Sequence, residues 1–496
     1  MTMLSRRTFL RTTLRAAAAG LAAPALAGAS PLARAAGGEK RNVLFIAVDD
    51  LRPELGCYGH PHVKSPNMDR LAASGTRFTR TYCQQAICAP SRASLLTGLR
   101  PDSTGIYDLR HPVKDTLPHV RTLPQHFRAH GYHTVSLGKI YHHGSDDPKG
   151  WSERPGVHKP LYADRQTNLR RWRLMEEARK KGLTGSRRYN YAAGPATECL
   201  DVPDEAYGDG AITDAALRIL RERKDEAFFL AVGYWKPHLP FTAPKRYWDL
   251  YDRSSIPVPD GDEPDGAPPL AFTNWGELRA YTDIPKQGDL DEAKTRQLIH
   301  GYWACVTFVD RQIGRLLDAL DALGLAEKTV VILWGDHGWK LGEYGDWCKH
   351  TNFELDTHVP MLLCVPGAKA GQTCAALTEY VDIYPTLAEA CGLAVPEHCE
   401  GTSMMPLLAN PGRPWKTAAF SQYPRGRNLM GYSLRHGTWR YTEWRHRKTG
   451  EVVERELYDH SAGPLATENL VAKPERADLV KRFASTMEAG WQAARP

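Results

Sequence analysis

The stretch RNVLFIAVDD, residues 41–50, decides the fold. Its uninterrupted apolar run predicts a strand buried on both faces, which is typical of parallel sheets. Asp49 and Asp50 follow this run directly. The stretch TVVILWGDHG, residues 329–338, has the same design and ends in Asp336 and His337. Ligands of open α/β sheets gather at the carboxyl ends of the strands, so we expect these four side chains to meet at one edge.

Two further buried strands are predicted within GYHTVSLGKIYHHG, residues 131–144, and AFFLAVGYWKPH, residues 227–238. The first ends in Lys139, His142 and His143, and the second ends in His238. Helical spacing predicts helices over 66–74 and 211–223, and one or two helices over 292–323. Strands that alternate with helices predict an α/β fold with a large, mostly parallel central sheet flanked by helices.

The pattern changes after about Pro414. The segments AAFSQYP, MGYSLRHGTWRYTEW and ERELYDH predict short antiparallel strands, and a helix is expected from Pro474. We therefore expect a main domain over residues 37–413 and a smaller C-terminal α+β subdomain with an antiparallel sheet over 414–496. The Pro- and Gly-rich stretch 257–269 is expected to be a surface loop of the large domain.

The first 36 residues predict an export signal. Arg6 and Arg7 precede an alanine-rich run, and the sequence ARA at residues 33–35 suits a small-residue cleavage site just after Ala35 or Ala36. This pattern is typical of twin-arginine signals, so we expect the twin-arginine export machinery as a partner and a periplasmic or secreted protein. The apolar run is shorter than a bilayer span, so no stable membrane insertion is expected after cleavage. An amphipathic anchoring helix is the alternative.

The chain of 496 residues has a formal charge of +7, and 42% of its residues are hydrophobic, as in globular proteins. It contains no basic run of the kind that nucleic-acid-binding proteins show, which argues against that class of partner. Its ten cysteines form no dense framework. Cys391 with Cys399, or Cys364 with Cys374, could close a small loop, and the sequence does not decide between pairing and free thiols.

The stretch ICAPSRASLLTG, residues 87–98, predicts a short helix with a cysteine at its mouth. Pro90 suits the first helical position and Gly98 can end the helix. Cys88 would then face the positive end of the helix dipole with Arg92 nearby, a setting that stabilises an anion and lowers a thiol pKa. The alternative is a buried structural cysteine.

Three carboxylates at one sheet edge would repel one another unless a cation joins them. Oxygen-rich ligation with one imidazole favours a hard divalent ion, Ca²⁺ or Mg²⁺. For each acid taken singly, a helix cap or a solvated loop is the alternative.

These motifs resemble those of a known family. CAPSR, residues 88–92, is similar to the C-x-P-S-R signature of type I sulfatases, and AVDDLRPELGCYG and GDHG resemble their two metal-binding strand ends. Several longer stretches resemble the iduronate-2-sulfatase branch of this family. They are SLGKIYHHG, VGYWKPHLPF, WGDHGWKLGEYGDWCKHTNFE, and AFSQYPR with MGYSLRHGTWRYTEW. The resemblance runs from about Arg41 to Asn469 and implies the alkaline-phosphatase-like sulfatase fold.

The resemblance also implies the chemistry of residue 88. In this family a formylglycine-generating enzyme oxidises the motif cysteine to formylglycine (3-oxoalanine). The hydrated aldehyde attacks sulfur with one hydroxyl, and the second hydroxyl then expels sulfate. The implied ligands of Ca²⁺ are Asp49, Asp50, the modified Cys88, Asp336 and His337.

The remaining roles are likewise implied residue by residue. Arg92 should hold the diol, and Lys139 and His142 should lie beside residue 88, where the imidazole takes a proton. His143 is the alternative to His142. His238 is implied as the general acid for the departing sugar oxygen. The residue implied to bind sulfate or a neighbouring carboxylate is Lys349.

The resemblance therefore implies an exported sulfatase acting on a sulfated saccharide, for which 2-O-sulfated uronic acid in a polysaccharide is the expected target. Two alternative functions remain, one enzymatic and one non-catalytic. One is a phosphate or phosphonate ester hydrolase of the same superfamily, against which the intact C-x-P-S-R motif argues. The other is a carbohydrate-binding pseudoenzyme, against which the filled motif positions argue.

Overall fold

A computed structural model describes residues 40–157 and 159–496. The export signal predicted over residues 1–36 lies outside the described residues. The strands are β1 (Asn42–Val48), β2 (Thr76–Tyr82), β3 (His133–Gly138), β4 (Thr197–Leu200), β5 (Phe228–Tyr234), β6 (Phe241–Pro244), β7 (Thr329–Gly335), β8 (Lys340–Leu341), β9 (Trp347–Cys348), β10 (His358–Cys364), β11 (Gln372–Cys374), β12 (Thr378–Glu379), β13 (Ala419–Arg425), β14 (Leu429–His436), β15 (Trp439–His446) and β16 (Val452–Asp459).

The helices alternate with the first of these strands, as predicted. They are α1 (Pro66–Ser74), α2 (Cys88–Thr97), α3 (Pro101–Thr104), α4 (Val113–Thr116), α5 (Leu123–Ala129), α6 (Arg165–Lys180), α7 (Gly185–Tyr191), α8 (Gly208–Glu222), α9 (Lys245–Trp248), α10 (Glu292–Ala322), α11 (Glu354–Thr357), α12 (Ile383–Ala390), α13 (Met405–Ala409) and α14 (Ala477–Ala493). The stretch predicted as one or two helices over 292–323 is the single helix α10.

The large sheet has the order β11-β2-β10-β7-β1-β5-β3, and β12 also pairs with β2. The four strands β7, β1, β5 and β3 are parallel neighbours, so their carboxyl ends lie at one edge. Val48, the last residue of β1, pairs with Gly335 of β7 and Tyr234 of β5. The mostly parallel α/β sheet is thus confirmed. Strand β10 departs from it, since β10 runs antiparallel to both β2 and β7.

Strand β1 is buried on both faces, which is why it is continuously apolar. Leu44, Ile46 and Val48 pack in one core with residues of α1, α8 and α10. Val43, Phe45 and Ala47 pack on the opposite face, in a second core with residues of α2, α5 and α12. The alternation follows from the two-residue period of a strand. A sheet covered by helices on both sides leaves its strand ends as the place for polar side chains.

Helix α2 begins two residues earlier than predicted. Ile87 has extended dihedral angles (φ −159°, ψ 140°), and its carbonyl accepts the Ser91 N–H at 3.1 Å. Cys88 is therefore the first helical residue and Pro90 is the third, not the first. Proline is tolerated there because N–H groups in a first helical turn have no intrahelical acceptor. Gly98 ends the helix with φ 71°, as predicted.

The C-terminal part contains the predicted antiparallel sheet, in the order β13-β14-β15-β16. Helix α14 packs on it in a small core that includes Leu434, Tyr441, Leu457 and Phe483. The buried carboxylate of Glu354 on α11 connects this sheet to the larger one. It pairs with two arginines of the C-terminal sheet, and it accepts a hydrogen bond from the Tyr82 hydroxyl of β2 at 2.8 Å. The arginine partners are Arg435 and Arg440. The boundary at residues 413/414 stays a prediction.

Within the loop predicted over 257–269, residues 257–268 contain no helix or strand, and Pro269 begins a short 3-10 helix (Pro269–Ala271). All ten cysteines are free thiols, so neither of the two considered pairings is present. Among the described residues, no helix has the length and apolar character needed to cross a membrane.

Candidate active site

The parallel strand ends bring together five of the predicted site residues. Asp49 and Asp50 follow β1, Asp336 and His337 follow β7, and Lys139 follows β3. All five are buried. The Asp49 N–H donates to the Tyr234 carbonyl at 3.2 Å and the Asp336 N–H to that of Val48 at 3.3 Å, so the ladder extends one step beyond the strands. The edge predicted from the sequence is therefore the location of the polar cluster.

Asp50 turns the chain away from the sheet. Its φ of 58° is in the left-handed region, which is unfavourable for a non-glycine residue and recurs at functional sites. Its N–H donates to Asp336 Oδ1 at 2.9 Å, and the same oxygen accepts the His337 N–H at 3.1 Å. These bonds fix the carboxylate of β7 against the end of β1.

Cys88 lies at the start of α2, inside this cluster. Its Sγ is 3.4 Å from His337 Nε2 and 3.4 Å from Lys139 Nζ. Burial raises the pKa of the thiol, but neighbouring positive charges, led by Lys139, together outweigh it and the net shift is downward. The predicted anion-stabilising setting is thus present, and a lysine is the cation that contacts the sulfur.

Arg92 binds the carboxylates of Asp49 and Asp336. Its fully buried guanidinium donates from Nε to Asp336 Oδ2 at 2.9 Å and from Nη2 to Asp49 Oδ1 at 2.8 Å. Nη1 donates to the carbonyls of Lys139 and Ile140. These bonds engage all three nitrogens, and none of them runs to Cys88. The role of Arg92 in holding the diol stays a prediction, whereas its observed contact is with the two carboxylates.

Three basic side chains neutralise the three acids. Lys139 pairs with Asp49, Lys349 Nζ is 3.0 Å from Asp50 Oδ2, and Arg92 bridges Asp49 to Asp336. Burial raises the pKa of Asp49, but Lys139 and Arg92 hold it well below its usual range. The expectation that a metal cation alone relieves the repulsion is therefore incomplete: a buried acid needs a partner, and the chain supplies its own.

The donor atoms nevertheless fit a divalent cation. One ligand atom each from Asp50, Cys88, Asp336 and His337 lies within 4.8 Å of the others. His337 Nδ1 bonds the Gly338 carbonyl at 3.0 Å, which leaves Nε2 directed at the cluster. Burial lowers the pKa of His337, but neighbouring anionic groups, led by Asp336, outweigh it and raise the pKa to about 10, so positive charge is favoured at this point. Oxygens with one imidazole suit a hard ion.

Asp49 departs from the predicted ligand set. Its oxygens are bonded by Arg92 and Lys139, and the group of close donor atoms to which it belongs contains Asp50 and His238 instead. Its assignment as a ligand stays a prediction.

His238 and Lys349 both lie close to Asp50 Oδ2. His238 Nδ1 is 2.6 Å from the Leu239 carbonyl oxygen, so Nε2 is the nitrogen that faces the site, 3.1 Å from Glu277 Oε1 and 3.8 Å from Asp50 Oδ2. Burial lowers the pKa of His238, but the carboxylates of Asp50 and Glu277 outweigh it and raise it overall. A protonated Nε2 is what a general acid requires.

Glu277 is a site residue that the sequence reasoning missed. Its Oε1 is 3.1 Å from His238 Nε2 and 2.9 Å from Lys349 Nζ. Burial raises its pKa, but Lys349 and His238 hold it well below the usual range. Glu277 lies in the loop TNWGELRAY, which follows no strand, so a search of strand ends could not find it. A lone acid in a loop carries no sequence signal of this contact.

The backbone that carries His238 is fixed by hydrogen bonds of two buried side chains, Asp209 and Lys236. The Asp209 carboxylate accepts the N–H groups of Trp235 at 2.8 Å and Lys236 at 3.0 Å. Lys236 Nζ then donates to the carbonyls of His238 at 2.8 Å and Pro240 at 2.6 Å. Hydrogen bonds therefore fix the loop after β5 on both sides of His238.

His142 and His143 differ in their surroundings. His142 is half-buried, its Nδ1 has no hydrogen-bond partner among the described residues, and burial together with Lys139 lowers its pKa to about 3. It is therefore a neutral imidazole with a free nitrogen, able to accept a proton. His143 is exposed and packs 5.1 Å from the Trp235 ring. These surroundings favour His142, as the motif register does.

Comparisons with known proteins identify the family. The family model "Sulfatase" matches residues 41–393, and the model "N-sulphoglucosamine sulphohydrolase, C-terminal" matches residues 342–492. Human iduronate 2-sulfatase is 35% identical over 88% of this chain and 92% of its own length. A sulfatase of Formosa agariphila is 29% identical over 92% of this chain and 88% of its own.

Solved structures show the same fold. One, in complex with its substrate D-glucosamine-2-N,6-O-disulfate, superposes with a TM-score of 0.72 at 24% identity and covers 91% of this chain and 97% of its own. The phosphonate monoester hydrolase of Agrobacterium radiobacter also gives 0.72, at 22% identity over 91% of this chain and 95% of its own. The fold is thus the alkaline-phosphatase-like one predicted, with the C-terminal antiparallel sheet. With the family match over most of its length, the chain belongs to the sulfatase family and is a sulfuric ester hydrolase.

Proposed function

We propose that the chain is an exported, formylglycine- and Ca²⁺-dependent sulfatase that releases sulfate from 2-O-sulfated uronic acid in a polysaccharide. One observation carries the proposal: Cys88, in a C-x-P-S-R sequence, begins a buried helix with its sulfur between Lys139 and His337. A reactive atom placed there lies beside both a cation and the donor atoms suited to a metal. Conversion of Cys88 requires a formylglycine-generating enzyme as partner.

Formylglycine and Ca²⁺ would each supply one part of the sulfate-ester chemistry. Formylglycine at residue 88 supplies, as its hydrate, the nucleophile for sulfur, and Ca²⁺ supplies positive charge to the sulfate oxygens. The residues that would hold the ion are Asp50, residue 88, Asp336 and His337, with Asp49 as the further predicted ligand.

The chain's own residues then bind the ester and move protons. Lys139 Nζ already contacts the atom at position 88 and can bind a sulfate oxygen from that side. Lys349 Nζ, on the side of Asp50 and Glu277, can bind sulfate or a uronate carboxylate. His142, neutral because of its burial, can accept the proton whose loss expels sulfate. His238 can donate its Nε2 proton to the departing sugar oxygen, a transfer that needs hydrogen-bond reach in the complex.

The proposed substrate class rests on the relatives of this chain. Human iduronate 2-sulfatase is 35% identical to this chain, and its name gives the sugar that we propose as the substrate. Phosphate or phosphonate ester hydrolysis is the second candidate, because the phosphonate monoester hydrolase superposes over most of the chain. The export signal predicted from the sequence of residues 1–36 supports a periplasmic or secreted enzyme that meets its polysaccharide outside the cytoplasm.

The substrate assignment predicts a clear order of rates. Protein made with a formylglycine-generating enzyme should release sulfate from a 2-O-sulfated uronate disaccharide with a higher kcat/KM than from a neutral sulfated hexose, and Lys349→Ala should narrow that difference. Aryl phosphate and phosphonate esters should be slower than aryl sulfate. Cys88→Ala should remove turnover while leaving the fold intact. A wild-type preference for the phosphonate, or an active Cys88→Ala variant, would contradict the proposal.

The metal assignment predicts a stabilisation that is independent of activity. Adding Ca²⁺ to chelator-treated protein should raise Tm by a few degrees, because a ligand present at about 100 times its Kd stabilises by about 2.7 kcal/mol. Zn²⁺, which prefers nitrogen and sulfur ligands, should replace it less well in assays of activity. Asp336→Asn should abolish the Tm rise, whereas the exposed control Asp115→Asn should keep it. An unchanged rise in Asp336→Asn would refute the site.

The acid role of His238 predicts a dependence on the leaving group. General acid catalysis is worth roughly 10²–10⁴-fold and is not needed by nitrophenol, which departs unaided. His238→Ala should therefore lose about that factor more in kcat/KM on a sugar sulfate than on nitrophenyl sulfate. The exposed His111→Ala serves as control and should resemble wild type on both. Equal losses of His238→Ala on the two esters would exclude proton donation.

A further inference from the structure

The charge of the protein is concentrated in one helical hairpin. Residues 165–191, which we call the basic hairpin, contain nine lysines and arginines against two glutamates, and the rest of the chain contains 55 basic and 55 acidic residues. The segment thus carries a net +7 within 27 residues, equal to the formal charge of the whole chain. It comprises α6, α7 and the turn between them. None of the sulfatase-like motifs falls in it.

Most of this charge is not neutralised within the protein. The two glutamates pair with Arg179 and Lys181. Within the described residues, the side chains of Arg170, Arg173 and Arg187 form no ion pair or hydrogen bond, and all three are exposed. Like charges held together on two short helices repel one another, and an anionic partner removes that repulsion.

The basic hairpin is joined to the loop that carries Glu277. Directly after α7, the Gly194 carbonyl accepts the Thr282 N–H at 2.9 Å, and the Ala196 N–H donates to Asp283 Oδ1 at 2.7 Å. Glu277, a few residues earlier on that loop, contacts His238 and Lys349. The hairpin therefore flanks the leaving-group side of the site.

Tyr189 on α7 is part of the packing between the hairpin and the chain before it. The Arg171 guanidinium lies 5.7 Å from the Tyr189 ring and 5.4 Å from the Tyr162 ring, so this arginine belongs to the packing of the hairpin. The exposed arginines are the ones left for a ligand.

An apolar ring accompanies the exposed charge. Trp172 is 64% exposed, and Leu169, one turn before it on α6, is 39% exposed. Large exposed apolar side chains beside polar ones mark binding surfaces. A rigid indole ring offers a flat apolar contact for the carbon face of a sugar, and guanidinium groups match the paired oxygens of sulfate and carboxylate.

We propose that the basic hairpin binds the sulfated and carboxylated sugar residues next to the one that is hydrolysed, so that the natural substrate is a polyanionic oligosaccharide chain. This inference rests on the proposed function, since it extends the substrate from the same site. The position beside the leaving-group side is where a chain attached to the departing sugar oxygen continues.

The test compares substrates of different length. The 2-O-sulfated disaccharide and a fully sulfated hexasaccharide with the same terminal residue are assayed for kcat/KM with wild type and the triple variant R170Q/R173Q/R187Q. Wild type should prefer the hexasaccharide by about tenfold or more at low salt, and this preference should fall as ionic strength rises. The triple variant should lose most of the preference. The matched control R221Q/R311Q/R413Q, with three exposed arginines outside the hairpin, should retain it.

A binding experiment separates this inference from the proposed function. In the Cys88→Ala background, calorimetry measures hexasaccharide binding without turnover, and the triple variant and Trp172→Ala should each bind more weakly. Unchanged affinity in the triple variant would overturn the hairpin proposal, whatever the activity. Equal affinity of wild type for single-stranded DNA of similar charge would also overturn it, because binding would then be to any polyanion. Failure of wild type to release sulfate from both saccharides, with hairpin-dependent binding intact, would instead overturn the proposed function.

Discussion

The guanidinium of Arg92 holds the catalytic end of the sheet together. It bridges Asp49 at the end of β1 to Asp336 at the end of β7, and its remaining nitrogen binds two carbonyls just after β3. Three strand ends are thus tied to the helix that begins with Cys88. Because all these groups are buried, loss of one partner leaves an uncompensated charge, which costs about 3–5 kcal/mol. The position of residue 88 depends on this bridge.

Charge balance sets the electrostatics around that bridge. Arg92, Lys139 and Lys349 match the three aspartates, so the cluster can be buried while its free oxygens remain aimed at one point. Lys349 and His238, which both lie close to Asp50 Oδ2, share the carboxylate of Glu277. In the proposed mechanism, residue 88 and the groups that contact it form the nucleophile side of the site, and His238, Lys349 and Glu277 form the leaving-group side. The proposed role of the basic hairpin extends this leaving-group side outward.

The sequence was informative where chain order and chemistry coincide. Apolar runs ending in acids, as at Asp49 and Asp336, predicted both the strands and their meeting point, because parallel strands align their carboxyl ends. Glu277 was missed because its contact is created by a loop that returns to the site from 39 residues past His238 along the chain. The start of α2 at Cys88 was missed because proline, although preferred at the first helical position, is also tolerated at the third. Strand β10 was not predicted at all, and the composition of an apolar strand does not indicate its direction. Local patterns specified which elements form, and tertiary contacts decided how charges pair.

The central claim is that residue 88, held by this cluster, performs the chemistry as formylglycine. The most direct measurement is the mass of the tryptic peptide containing residue 88, taken on several preparations that differ in co-expression of the formylglycine-generating enzyme, together with the kcat of each. The account predicts that kcat rises in proportion to the fraction of peptide with thiol converted to aldehyde. Full activity in a preparation whose residue 88 is entirely unmodified cysteine would contradict it.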